Sequence, residues 1–173
     1  KLSTRDGNII YAEDILKEAI QRAMCAIMKK NPNLTNKEEV AHMVGVGAVI
    51  FHDLFNQRIK NIDFVWDEVL SFEGTSGPYV QYTYARAKSI LRKADYQAKQ
   101  QAIDFEKLTD DYSYKLVKEL QGYEDAVNKA ADRYEPSVVA KYLISLAAAF
   151  NKFYHECPIL KAEEEEKQAK LYL

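Results

Sequence analysis

A chain of 173 residues is long enough for one good-sized domain or two small ones. Its 47% hydrophobic and 29% charged content excludes a disordered chain, and the scarcity of Gly (6) and Pro (4) favours an all-α class. The net charge of −2 excludes a chain that is basic throughout, and no apolar run of about 18 residues is present to span a membrane.

Residues 1–10 read as a loop, with Gly7-Asn8 marking a turn and Ser3, Thr4 and Arg5 as phosphate-friendly groups. Residues 12–30 predict a helix, because Ile15, Leu16, Ala19, Ile20, Ala23, Met24, Ile27 and Met28 recur in pairs every four residues. Asn31-Pro32-Asn33 stops it. Thr35 and Glu38 have the spacing of a capping box for a second helix to about Phe55. Gly45 and Gly47 inside that helix point to a close helix–helix approach or a break. His42 and His52 stand singly and Met24, Met28 and Cys25 read as packing, so no metal site is expected. Residues 62–66 fit a short extended segment or an anchor for Trp66, with Asp67 capping a short helix through Leu70.

The stretch 72–86, Phe-Glu-Gly-Thr-Ser-Gly-Pro-Tyr-Val-Gln-Tyr-Thr-Tyr-Ala-Arg, passes from a flexible segment into a helix. Pro78 suits the first helical position, and no Gly or Pro interrupts until about Lys99. At about 100° per residue, Val80, Tyr84, Ala87, Leu91 and Ala94 form an apolar stripe, the expected core face. Tyr79, Tyr82, Arg86 and Lys93 fall within about 60° of each other on a second face. Two readings fit that face. The rings and cations cover a neighbouring helix and solvent, or they stack unpaired bases and pair phosphates. Residues 78–100 carry Arg86, Lys88, Arg92, Lys93 and Lys99 against Asp95, a local balance of +4. A locally basic helix in a mildly acidic chain can meet a polyanion.

Residues 102–111 read as a loop, with Thr109, Asp110 and Asp111 as N-cap candidates for a helix that Gly122 ends. Residues 123–134 predict another helix. A last full helix starts at Glu135-Pro136 and ends at Cys157-Pro158, lined by Val138, Val139, Tyr142, Leu143, Leu146, Ala147, Phe150, Phe153 and Tyr154. Asn151, Lys152 and His155 lie beside Tyr154 near its end. No nucleophile–base–acid set and no Gly-rich phosphate loop occurs in the sequence. Cys25 and Cys157 have neither metal-ligand nor disulfide-framework spacing, and no secretory signal is read, so a cytoplasmic location is expected. Lys1 is not an initiator methionine, and an apolar pattern is only starting at Leu173, so a piece of a longer protein is expected.

The block 72–86 resembles the segment that opens the anticodon-binding helical domain of arginyl-tRNA synthetases. Tyr134-Glu135-Pro136-Ser137 and residues 149–155, Ala-Phe-Asn-Lys-Phe-Tyr-His, resemble later helices of that family. Lys1, Leu2, Ser3, Thr4 and Arg5 resemble its ATP-binding KMSKS loop, and residues 45–49 match a segment between. The likeness covers essentially the whole chain. It implies an all-α helical bundle of the kind that binds the anticodon in class I aminoacyl-tRNA synthetases. Residues 1–70 would be the KMSKS-like loop and a helical connecting region, and residues 71–173 the anticodon-binding bundle of the DALR type, lacking its last helix. Matched residue by residue, Tyr79, Tyr82, Arg86 and Tyr154 sit where the family contacts the anticodon loop. Lys88, Arg92 and Lys93 would attract the RNA backbone.

The parent family joins arginine to its tRNA, using ATP with magnesium through an arginyl-adenylate. The partners implied are the tRNA for arginine and, through a catalytic domain outside this chain, arginine and ATP. A monomer without a membrane partner is expected. The sequence departs from the KMSKS pattern at Thr4, where the second lysine would fall, and at Leu2. The HIGH motif and the arginine and adenosine pockets are absent from the 173 residues, so the chain alone is expected to form no adenylate and bears no catalytic residue or resident cofactor. A helical protein-interaction module, or the equivalent bundle of another class I synthetase, is the alternative.

Overall fold

The computed structural model describes residues 10–97 and 104–173. These form eight α-helices and no strand among the described residues. None of the helices is long and apolar enough to cross a membrane. The expected Lys1, Leu2, Ser3, Thr4 and Arg5 loop lies outside the described residues, as does Lys99. The chain forms two compact units, Lys1–Tyr79 and Val80–Leu173.

In the first unit, α1 (Ala12–Lys30) packs on α2 (Lys37–Phe55). The seam is made of small residues: Ala19, Ala23, Ala41, Gly45 and Ala48 are all buried. A Cβ on Gly45 would fall 2.7 Å from the Ala19 carbonyl carbon and the Ile20 nitrogen. Gly45 therefore marks a close helix approach rather than a break. The Thr35–Glu38 capping box does not form, because Asn36 occupies the N-cap position and Glu38 falls second rather than third in the helix. The short helix α3 (Trp66–Val69) starts ahead of Asp67, so Asp67 lies in its first turn instead of capping it. His52, Phe64 and Trp66 meet edge to face, with ring centroids 5.4 and 4.8 Å apart. The Arg22 guanidinium stands 5.0 Å from the Trp66 ring centroid.

Helix α4 (Gly77–Lys93) starts one residue before Pro78. Ser76 accepts the Tyr79 amide at 3.2 Å and so satisfies one of the first-turn donors. Gly77 is needed there, because a Cβ would fall 2.9 Å from the Phe51 Cβ and 3.0 Å from the Gly47 carbonyl oxygen. The helix ends at Lys93, short of the expected Lys99. Asp95 takes a left-handed φ of 49°, and the Tyr96 amide donates to the Leu91 carbonyl at 3.0 Å, the terminal pattern that stops a helix.

In the second unit, α4 contributes Thr83 and Ile90 as its most buried side chains, with Ala87, Leu91 and Ala94 half-buried beside them. Tyr84 departs from the expected core stripe and is 64% exposed. The buried face is centred on Thr83 and Ile90, which leaves Tyr84 at its solvent edge. Helix α5 (Asp111–Gln121) is capped by Asp110, whose carboxylate accepts the Tyr112 and Ser113 amides at 3.0 and 2.8 Å. Gly122 separates it from α6 (Tyr123–Arg133), which ends on Tyr134 at φ 49°. The long helix α7 (Ser137–Glu156) packs against both α5 and α6. A helix not expected from the sequence, α8 (Glu164–Tyr172), closes the unit. Its first turn is Glu164, Glu165 and Glu166, where negative charge suits the helix dipole. Ile90, Leu116, Phe153, Cys157, Ile159 and Leu171 form the core.

Candidate nucleic-acid interface

Tyr82, Arg86 and Lys93 recur at helical spacing along α4, so they share one face. Tyr154 and Asn151, three residues apart in the last turns of α7, share a face of that helix. The fold brings these two faces together. The Arg86 guanidinium carbon stands 4.7 Å from the Tyr82 ring centroid and 4.8 Å from that of Tyr154. Each contact places a delocalised cation on the electron-rich face of a phenol ring, worth about 0.5–1 kcal/mol where water has access. The rings remain about half exposed, Tyr82 at 48% and Tyr154 at 41%.

Arg86 Nη1 also donates to Asn151 Oδ1. The Asn151 Nδ2 donates in turn to Thr83 Oγ1 at 2.8 Å. A guanidinium only donates, so it fixes which end of the Asn151 amide faces it. Thr83 is buried, and its hydroxyl meets the other end.

Beside this group opens a cleft of about 610 Å³, within the ~300–1,000 Å³ usual for small-ligand sites. Ile90, Pro158, Ile159 and Leu160 give it apolar surface, and Tyr82 and Tyr154 line it. Arg86, Lys93, His155 and Lys161 supply nitrogen cations or donors, and no carboxylate lines it. His155 Nδ1 lies 3.2 Å from the neighbouring Glu156 carboxylate. The cleft thus offers flat rings, apolar surface and positive charge together, which suits an unpaired base with its phosphate.

The wall at residues 157–161 is anchored from below. Cys157 Sγ donates to Asp110 Oδ1 at 3.1 Å, and Ser113 Oγ donates to Asp110 Oδ2 at 2.6 Å. Lys170, almost wholly buried, pairs with Glu166 at 2.6 Å and lies 3.9 Å from Asp110. Burial alone would push the Asp110 carboxyl up, but the Ser113 hydroxyl and amide, the Cys157 thiol and the Lys170 charge together hold it below the usual value. Burial first, then the adjoining Asp110 carboxylate, push the Cys157 thiol up to about 12.

The other residues singled out in the sequence stand elsewhere. Tyr79 is half-buried, belongs to the first unit, and is not a lining residue of the cleft. Lys88 lies over the Tyr84 ring, 5.7 Å from its centroid, and neither it nor Arg92 lines the cleft; both are exposed. Thr83, Leu160 and Lys161 carry no sequence signal for a site, and Asn151 had only its place beside Tyr154. Their relation to Arg86 or to the cleft exists only across helices. Among the described residues no group of three His, Cys, Asp or Glu side chains is placed to hold a metal ion.

Residues 80–173 match the family described as DALR anticodon binding domain, and residues 1–66 match tRNA synthetases class I (R), catalytic domain. Over 173 residues the chain is 54% identical to the arginine–tRNA ligase of Enterococcus faecalis, covering all of this chain and 30% of that one. It is 47% identical over 172 residues to the arginine–tRNA ligase of Halothermothrix orenii, covering 99% of this chain and 30% of the relative. The solved structure of Thermus thermophilus arginyl-tRNA synthetase superposes with a TM-score of 0.86 at 40% identity, over 94% of this chain and 28% of that one. The chain spans about 30% of the length of these curated relatives.

Proposed function

Because this chain belongs, through residues 80–173, to the DALR anticodon-binding domain family, we propose that it recognises the anticodon loop of the tRNA for arginine, as the C-terminal part of an arginine–tRNA ligase. The observation that carries this reading is the Arg86 guanidinium held against the half-exposed Tyr82 and Tyr154 rings at the mouth of a cation-lined cleft. Unpaired loop bases stack on the exposed parts of the Tyr82 and Tyr154 rings, each worth about 1–3 kcal/mol. Lys93 and Lys161 draw in the phosphates. Lys88 and Arg92, outside the cleft, add to the local positive field that attracts the backbone. Tyr79, Tyr82, Arg86 and Tyr154 are assigned to the anticodon loop.

The remainder rests on the family resemblance of the sequence. Residues 1–70, of which 1–66 match the class I (R) catalytic-domain family, carry the ATP loop of Lys1, Leu2, Ser3, Thr4 and Arg5 and connect the rest of the catalytic domain to the tRNA; residues 71–173 form the anticodon-binding bundle. The whole enzyme, a cytoplasmic monomer, attaches arginine to its tRNA, consuming ATP with magnesium. The 173-residue chain binds RNA without aminoacylating it.

Titration of the 173-residue chain with the anticodon stem-loop of the tRNA for arginine, and with stem-loops for other amino acids, tests the proposal. Preferential binding to the arginine stem-loop that weakens steeply as salt rises is expected. Tyr82→Ala should weaken it at least fivefold. Absence of binding, or affinity indifferent to salt and loop sequence, overturns the reading and leaves a protein-interaction surface.

A further inference from the structure

We infer that Thr83 and Asn151 are positioning residues that set the Arg86 guanidinium against Tyr82 and Tyr154 before RNA arrives; the inference rests on the RNA reading of this cleft. Neither residue is a base reader. Asn151 spends its oxygen on Arg86 Nη1 and its nitrogen on Thr83 Oγ1, so both ends of its amide are engaged. Thr83 is 7% exposed and does not line the cleft. Their joint effect falls on a third residue. An arginine at a cleft mouth has several rotatable torsions and would otherwise sample many positions. Here it is fixed by a hydrogen bond at one nitrogen and by ring faces on two helices. Ordering it beforehand removes that entropic cost from RNA binding. It also fixes which part of each half-exposed ring the guanidinium covers.

The chemistry of Thr83 makes the inference testable. Valine fills the same volume without the hydroxyl. The Asn151 nitrogen would then lose its acceptor, and the amide would be free to turn its oxygen away from Arg86. Serine keeps the hydroxyl and loses only a methyl group. No charge changes in any of these variants.

Thr83→Val, Thr83→Ser and Asn151→Ala are prepared in the 173-residue chain. Two quantities are measured at a temperature where circular dichroism shows each variant folded. The first is the rotation rate of the Arg86 guanidinium in the free protein, from side-chain nitrogen-15 NMR. The second is affinity for the anticodon stem-loop of the tRNA for arginine as a function of salt. Thr83→Val and Asn151→Ala should speed guanidinium rotation and weaken RNA binding about tenfold. The salt slope should be unchanged, because no phosphate partner is lost. Thr83→Ser should behave as the wild type in both measurements. Should Asn151→Ala unfold, the valine–serine pair decides alone. Wild-type binding together with unchanged rotation and affinity in Thr83→Val overturns this inference and leaves the RNA reading standing. No RNA binding by the wild type overturns both.

Discussion

The Arg86 guanidinium lies 4.8 Å from the centroid of the Tyr154 ring, a contact that ties α4 to α7. Lysine at this position would keep the charge but lose the plane that stacks on two rings and the fork that reaches Asn151. Arg86→Lys should therefore weaken RNA binding about tenfold with its salt slope intact. Arg86→Ala should weaken it further and make the slope shallower by about 0.7, the value for one single-strand phosphate contact. Salt-dependent titrations of the two variants separate the stacking contribution from the charge.

At the α1–α2 seam there is no room for a methyl group on Gly45, whose added Cβ would meet the Ala19 and Ile20 backbone at 2.7 Å. Backbone cannot rotate aside as a side chain can, so the helices must separate. Gly45→Ala should gain about 1 kcal/mol of helix propensity but lose about 1–3 kcal/mol to overpacking. A net fall in stability in urea unfolding is expected, against the usual gain from Gly→Ala in a helix.

Tyr134 gives the opposite case. It ends α6 at φ 49° and is 79% exposed, so a strained backbone is not offset by packing of its ring. Removing the Cβ relieves about 1–2 kcal/mol, and the more flexible unfolded chain returns about 0.4–1 kcal/mol of that. Tyr134→Gly should raise the Tm, as read by thermal unfolding.

Asp110 and Cys157 make the stability of the second unit depend on pH at both ends of the scale. Asp110 binds its proton less readily folded than at its ordinary value of 3.8, so its stabilising contribution is present above that value and is lost as pH falls through the lower folded one. Asp110→Asn should lower stability at neutral pH and flatten the loss in acid. The Cys157 thiol, raised from 9.0 to about 12, has the reverse sign: stability is intact below about pH 9 and declines as pH rises towards 12. At pH 8 iodoacetamide should modify the exposed Cys25 and spare the buried Cys157, as peptide mass spectrometry would show.

The residues 12–30 periodicity gave α1 to the residue, and the Asn31-Pro32 stop and the Cys157-Pro158 stop both appear where the sequence puts them. Those features depend on neighbours within one or two turns. The same local logic puts Tyr82, Arg86 and Lys93 on one face, and it fails at Tyr84. An amphipathic stripe has a broad edge, and whether a tyrosine there turns inward depends on what packs against the helix. Beyond Lys93 the absence of Gly and Pro predicted continuation, yet Asp95 adopts the left-handed conformation and ends the helix.

By itself the sequence determined the helical class, most helix limits and the aromatic–basic face of α4, because each follows from the spacing of side chains along one helix. Only the tertiary structure decided that Tyr154 and Asn151 meet Arg86, that the Thr83 hydroxyl accepts from the Asn151 amide, and that residues 157–161 wall a cleft over the Asp110–Cys157 anchor. These groups lie far apart in sequence, and no spacing rule within a single helix encodes the crossing of two.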